Sequence, residues 1–365
     1  MDAFSVVLIV VLGAAALVPA VWSIVGLAQG NRGYLWGVIG LGWAVLWLAV
    51  FFVAMGAQWG GCDAAPENGV LLCDDGNCRP RQWDTTCGRS SEPDSPDACA
   101  AAVAPPLRCP AGDEPAYAYC EVIGEGAVRQ PWATWSDLGF VAAGLWVLWF
   151  LGFAGGGLDT SFVPTKSQSP MRGASLLSVT YGLLVIFMGP ASMLLHASMK
   201  SWAGWFDAFS VFTWMFFHAA YVVFASWGLD RTVRTVLVMV LWLALAITLG
   251  IVSGVDPGWR FYGIVISAGC WIVAVVVDGV SVAANRRVER EWWWFGGVLF
   301  LLGSSMLLWV LWNPDISGPD FCRDVSGFPG HAIFHMGAAG AALLAFIFYR
   351  SEQAPGADGN GAGKG

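Results

Sequence analysis

The chain has 365 residues, of which 57% are hydrophobic and only 12% charged, with a formal net charge of −8. A soluble domain carries about a quarter charged residues, so this composition excludes an ordinary soluble globule and implies a polytopic membrane protein. No basic stripe and no Gly-rich phosphate loop is present, which argues against nucleic-acid and nucleotide partners.

Apolar runs of roughly 20 residues, the length needed to cross a bilayer, recur along the whole chain. Nine spans are predicted, at 4–28, 34–57, 132–156, 173–198, 202–226, 233–253, 261–284, 292–312 and 329–349. The expected architecture is an all-α membrane protein: a seven-span bundle at 119–350, preceded at 1–57 by two extra spans. Those two contain no acid or histidine within the membrane, and they read as an anchor. The first has no Lys or Arg ahead of it and is longer than the apolar core of a signal peptide.

Residues 58–118 read as a polar, Cys-rich loop, and the stretch up to Pro131 holds Cys62, Cys73, Cys78, Cys87, Cys99, Cys109 and Cys120. Counting spans brings Cys322 out on the same side. Eight cysteines on one face can form four disulfides, which requires an oxidising compartment. The alternative, a zinc knuckle, lacks both a CxxC pair and a loop histidine. Cys270 sits within a span and reads as a plain core residue. Charge checks the orientation. With the loop outside, the inner connections hold Arg32, Lys166, Arg172, Arg231, Arg234, Arg286, Arg287 and Arg290, whereas the short outer ones hold Lys200, Arg260 and Arg323. The bias predicts an exoplasmic N-terminus and a cytoplasmic C-terminus. The Gly/Ala-rich tail at 351–365 reads as disordered.

Ionisable residues in spans are expensive and usually functional, and here they are few. Ser192 and His196 stand four apart, so they share a helix face, and His331 and His335 repeat that spacing at the start of the last span. The predicted topology puts these four and Asp207 at one depth near the exoplasmic face. Three imidazoles, a carboxylate and a hydroxyl are the inventory of a catalytic zinc site with an open position. His196, His331 and His335 would hold Zn²⁺. Asp207 would serve as general base or orient a ligand, and Ser192 would donate to a developing oxyanion. Each residue taken singly has a plainer reading: an interfacial histidine, a chance HxxxH pair, or Asp207 as a helix cap. The shared depth favours the metal site. The fourth histidine, His218, lies eleven residues past Asp207, or roughly 16 Å deeper at 1.5 Å per residue. It reads as a packed polar residue, with a proton path as the alternative.

The segment from about 115 to 350 resembles the alkaline ceramidases and the wider CREST superfamily of membrane hydrolases. The resemblance rests on Tyr119-Cys120-Glu121, on Gln130-Pro131 with Thr134-Trp135-Ser136-Asp137-Leu138, on Ser192-x3-His196, on Asp207 and on His331-x3-His335. It implies a zinc-bound water that cleaves an amide in a membrane lipid, with these Ser, His and Asp positions as the site. It also implies a disulfide between Cys120 and Cys322. The family's amino-terminal Ca²⁺ site resembles Asp-Trp-Cys-Glu-x-Asn, whereas here those places read Ala118, Tyr119, Cys120, Glu121, Val122 and Ile123. Only Glu121 remains as an oxygen ligand, with Glu125 as a nearby substitute. The expected activity is hydrolysis of an N-acyl sphingoid-type lipid. The alternatives are a progestin/adipoQ-receptor-like sensor with structural zinc, and an ester-directed lipid hydrolase. No pair of broken helices repeats across two halves, so a transporter lacks support.

Overall fold

The computed structural model describes residues 2–56, 72–74, 77–79, 117–118, 120–122, 128–153, 171, 173–199, 201–224, 231–256, 259–285, 290–312, 321 and 328–352. The remainder of the 58–118 loop, Cys322, Glu125 and the tail beyond Glu352 lie outside them.

Two helices open the chain, α1 (Ala3–Ala28) and α2 (Leu35–Gly56), joined through a 3-10 turn at Arg32–Tyr34. Asp2 caps α1 by accepting the Ser5 amide at 2.8 Å, which satisfies one of the donors a helix start leaves open. Two short antiparallel strand pairs follow: β1 (Leu72–Asp74) with β2 (Asn77–Arg79), and β3 (Tyr117–Ala118) with β4 (Glu121–Val122). They are a small departure from the all-helical expectation, and both fall outside the spans.

The third predicted span is broken. A short helix α3 (Pro131–Ser136) stops at Asp137, and α4 (Leu138–Phe153) starts afresh. Helix α5 (Leu176–Ser198) begins where Ser175 and Ser178 form a reciprocal capping box, which sets its start three residues inside the predicted 173. It ends on Met199, in the left-handed region at φ 55°. Then come α6 (Ser201–Val223), α7 (Arg231–Val255), α8 (Trp259–Asn285), α9 (Trp292–Leu311) and α10 (Gly330–Arg350). Eight of these membrane-length elements are long and apolar enough to cross a bilayer, counting α3 with α4 as one. In α8 the described side chains include an apolar stretch from Tyr262 to Val277.

Helices α4, α5, α6 and α10 form the centre. In α4 and α5, 78% of the most apolar window is buried, against 22% in α1 and α2 and 17% in α9. The peripheral helices therefore present apolar side chains outward, as a lipid-facing surface requires. Around the core the helices follow the order α9, α10, α4, α5, α6, α8, with α7 packed outside α6. Among the described residues α8 and α9, the two ends of this series, make little contact with each other. Helices α1 and α2 lie over α4 and α5, so the anchor covers one flank of the core. Close approach at the α4–α5 seam needs glycine: a Cβ on Gly144 would come 2.7 Å from the Gly182 carbonyl oxygen. Cys270 is exposed on α8, which corrects its reading as a core residue. It faces away from the bundle.

Two polar clusters pin the end of the bundle away from His196. His218 Nδ1 lies 2.9 Å from the Tyr349 hydroxyl. Beside it, Trp214 donates to the Tyr181 hydroxyl (3.2 Å), which itself donates to the Ala342 carbonyl (2.6 Å). Beyond them, Glu352 accepts from Arg234 (2.6 and 3.2 Å), Arg290 (3.1 Å) and the Tyr221 hydroxyl (3.1 Å). Burial opposes ionisation of Glu352, but the two guanidiniums hold its carboxyl below the usual carboxylate range.

Candidate metal centre

His196 comes from the last turn of α5, and His331 and His335 come from the first two turns of α10. The chain folds so that these distant segments meet. All three side chains are buried, and one nitrogen from each falls within 4.8 Å of the others. The ring centroids are 5.0 Å apart for His196–His331, 4.9 Å for His196–His335 and 4.5 Å for His331–His335. This triad can hold a metal ion. Imidazole sites suit zinc, copper, iron or nickel.

The groups behind the rings decide which nitrogens face the centre. His196 Nδ1 lies 2.9 Å from Gln130 Oε1. The amide oxygen only accepts, so Nδ1 carries the proton and Nε2 is left to bind a metal. His335 Nδ1 lies 2.9 Å from Ser136 Oγ, 3.2 Å from the Ala133 carbonyl and 3.1 Å from Asp137 Oδ1. Ser136 already donates its hydroxyl hydrogen to the Ala133 carbonyl at 2.7 Å. All three neighbours therefore act as acceptors, and His335 Nδ1 is the donor. Metal-binding histidines are held in this way by a carboxylate or carbonyl behind the ring.

Ser192 is buried one turn before His196 and lies beside Asp137. Asp207 sits on α6, half-buried, close enough for its charge to be felt at Asp137. Because α6 begins at Ser201, Asp207 is in the second turn and does not cap the helix, which removes that reading. Asp137 is fully buried, with Oδ1 3.1 Å from His335 Nδ1 and the Ser192 hydroxyl beside its carboxylate.

Sequence reasoning quoted Ser136-Asp137 and Gln130 only as motif positions and gave them no role. The position of Asp137 at the break between α3 and α4 was not legible, because its contacts come from residues far along the chain.

The one oxygen ligand that the sequence leaves for an amino-terminal calcium site, Glu121, is engaged by backbone donors. One Glu121 oxygen accepts the Trp132 amide at 2.6 Å and the other accepts the Ala133 amide at 3.0 Å. Ala118 and Ile123, at the Asp and Asn places of the pattern, offer no oxygen side chain, while calcium takes 6–8 oxygen ligands. Burial pushes the Glu121 carboxyl up to about 8, against the pull of those two backbone donors. Cys120 is buried, with a positive φ of 54°, and its sulfur is disulfide-bonded. Cys322 lies outside the described residues, so the structure does not identify the bond's other half. No family model, curated protein or solved structure matches the chain.

Proposed function

We propose that this protein is a zinc-dependent intramembrane lipid hydrolase that cleaves an amide in the manner of the alkaline ceramidases, releasing a fatty acid and a long-chain amine. The observation that carries the reading is the buried triad of His196, His331 and His335, two of whose rings are turned inward by acceptors behind them. Three protein ligands leave one position open, which is the catalytic pattern for zinc. Bound there, zinc supplies a Lewis acid and a water acidic enough to lose its proton near neutral pH.

The chain's own residues supply the remainder. Asp207 takes the proton from the attacking water and returns it to the leaving amine. Ser192 donates its hydroxyl to the oxygen of the scissile carbonyl as negative charge develops there. Gln130 and Asp137 keep His196 and His335 in the tautomer that binds metal. The bundle excludes bulk water, and an acyl chain reaches the site from the bilayer. With the N-terminus outside, the site faces the exoplasmic or periplasmic side.

The test is turnover by the purified, zinc-loaded full chain in lipid nanodiscs, offered amide and ester lipids in parallel and read by mass spectrometry of the products. Amide cleavage that stops on chelation supports the proposal. Preferential ester cleavage would move the protein to the ester-directed branch, and zinc binding without any turnover would make it a sensor. Metal content gives a second readout. His196→Ala, His331→Ala and His335→Ala should each lose zinc on dialysis, and full occupancy in all three would remove the triad as the site.

A further inference from the structure

Two of the three candidate ligands lean on one short helix. Arg129 and Gln130 run along the end of α5, their amides donating to the Ala197 and His196 carbonyls at 3.1 Å each. These contacts satisfy carbonyls that a helix end leaves open. The Gln130 side chain then accepts from His196 Nδ1 at 2.9 Å. From the next turn, Ala133, Ser136 and Asp137 together accept from His335 Nδ1. Helix α3 is thus the wall behind both imidazoles.

That helix has an unusual start. Gln130 stands at its N-cap position but makes no side-chain cap bond, because its amide is committed to His196. The open amides of Trp132 and Ala133 are taken by Glu121 of β4, across the chain. The Trp132 indole is held as well, donating to Asp2 at 2.9 Å. Releasing Glu121 would leave buried donors without acceptors, and α3 would have to shift or fray to find water.

We propose that Glu121 is a positioning residue for the metal centre. By capping α3 from outside, it frees Gln130 to orient His196 and keeps the acceptors of His335 in place, and it does so without a calcium ion. This rests on the triad being a metal site, and the experiment separates the two ideas.

Zinc affinity is measured by chelator competition on the full chain in nanodiscs, for the wild type, Glu121→Ala and Glu121→Gln, each with and without added calcium or EGTA. The spectrum of the cobalt-substituted protein reports ligand geometry. Glu121→Ala should bind zinc about tenfold more weakly, at the low end for groups behind metal ligands, with a changed cobalt spectrum. Glu121→Gln retains an acceptor oxygen and should recover most of the affinity. Neither calcium nor EGTA should alter zinc affinity or thermal midpoint in any form. A calcium-dependent wild type that loses this dependence in Glu121→Gln would overturn the proposal by making Glu121 an ion ligand. Wild-type zinc affinity in Glu121→Ala would overturn it as well. Should Glu121→Ala not fold, the Gln variant and the wild-type calcium titration still decide. A wild type that binds no zinc would instead overturn the metal reading beneath it.

Discussion

Asp137 and Asp207 are neighbouring carboxylates, and the proposed function gives them different duties. Asp137 Oδ1 is 3.1 Å from His335 Nδ1, behind the ring and on the side away from the metal position. Asp137→Asn keeps an acceptor oxygen at the same place, and the Ala133 carbonyl and Ser136 hydroxyl continue to hold the imidazole. Only the charge is removed. Losing a partner behind a ligand costs 10–100-fold in metal affinity. With two acceptors remaining, the expected loss is about tenfold, or about 1.4 kcal/mol. Turnover of the variant resaturated with zinc should stay within about tenfold of wild type. Asp207→Asn should behave in the opposite way. Its zinc affinity should be near normal, while general-base catalysis worth about 10²–10⁴-fold predicts at least a hundredfold lower turnover, about 2.7 kcal/mol in the barrier. The assay is zinc affinity by chelator competition together with single-turnover amide hydrolysis at saturating zinc. If zinc-saturated Asp207→Asn turns over normally and Asp137→Asn does not, the duties are reversed. If both turn over normally, neither carboxylate is the base.

Three further outcomes follow. Non-reducing peptide mapping should join Cys120 to Cys322. Closing a loop of this size stabilises by about 5 kcal/mol in the chain-entropy model, and a bond from Cys120 into the 58–118 loop would refute the pairing. Gly189→Ala would place a Cβ 2.8 Å from both the Asp137 carbonyl oxygen and Val141 Cγ2. It should lower stability by about 1–3 kcal/mol and weaken zinc binding, whereas Gly13→Ala, with open space around it, should be silent in both assays. Glu352 has a folded-state pKa below its usual 4.5, so its contribution is fully present above that value and is lost as pH falls through the folded pKa. Thermal midpoints should therefore drop below pH 4.5 in the wild type, and this acid limb should flatten in Glu352→Gln. An unchanged limb would mean that the arginine pair contributes nothing to stability.

The helices were legible because a bilayer imposes a length and a polarity on whatever crosses it. Predicted and observed boundaries agree closely from Ala3–Ala28 through Gly330–Arg350. One departure has a local cause: the third span is interrupted at Asp137, where the apolar run continues but one helix ends and the next begins. The histidines were legible because helical spacing and membrane depth can both be counted from one sequence. Gln130 and Asp137 were not, because their roles depend on side chains 66 residues away for Gln130 and 198 away for Asp137 (335 minus 137). No periodicity carries such a contact. Glu121 is a similar case: it matched a motif position for a calcium ligand, and only its two backbone donors reveal a cap.

The division of the triad between α5 and α10 has a consequence for biogenesis. Two of its three nitrogens belong to α10, which is synthesised well after α5. A nascent chain halted before α10 holds only His196, and a lone imidazole does not retain a metal against cellular chelators. On the proposed function, metal loading would therefore follow insertion of α10. The far end of the same helix runs into Glu352, which must find Arg234 and Arg290 on two earlier segments. That clasp ties the far end of α10 to two other segments of the bundle. Truncation of the chain just ahead of Glu352 would remove no ligand, yet it should leave a population of chains that insert fully and never acquire metal.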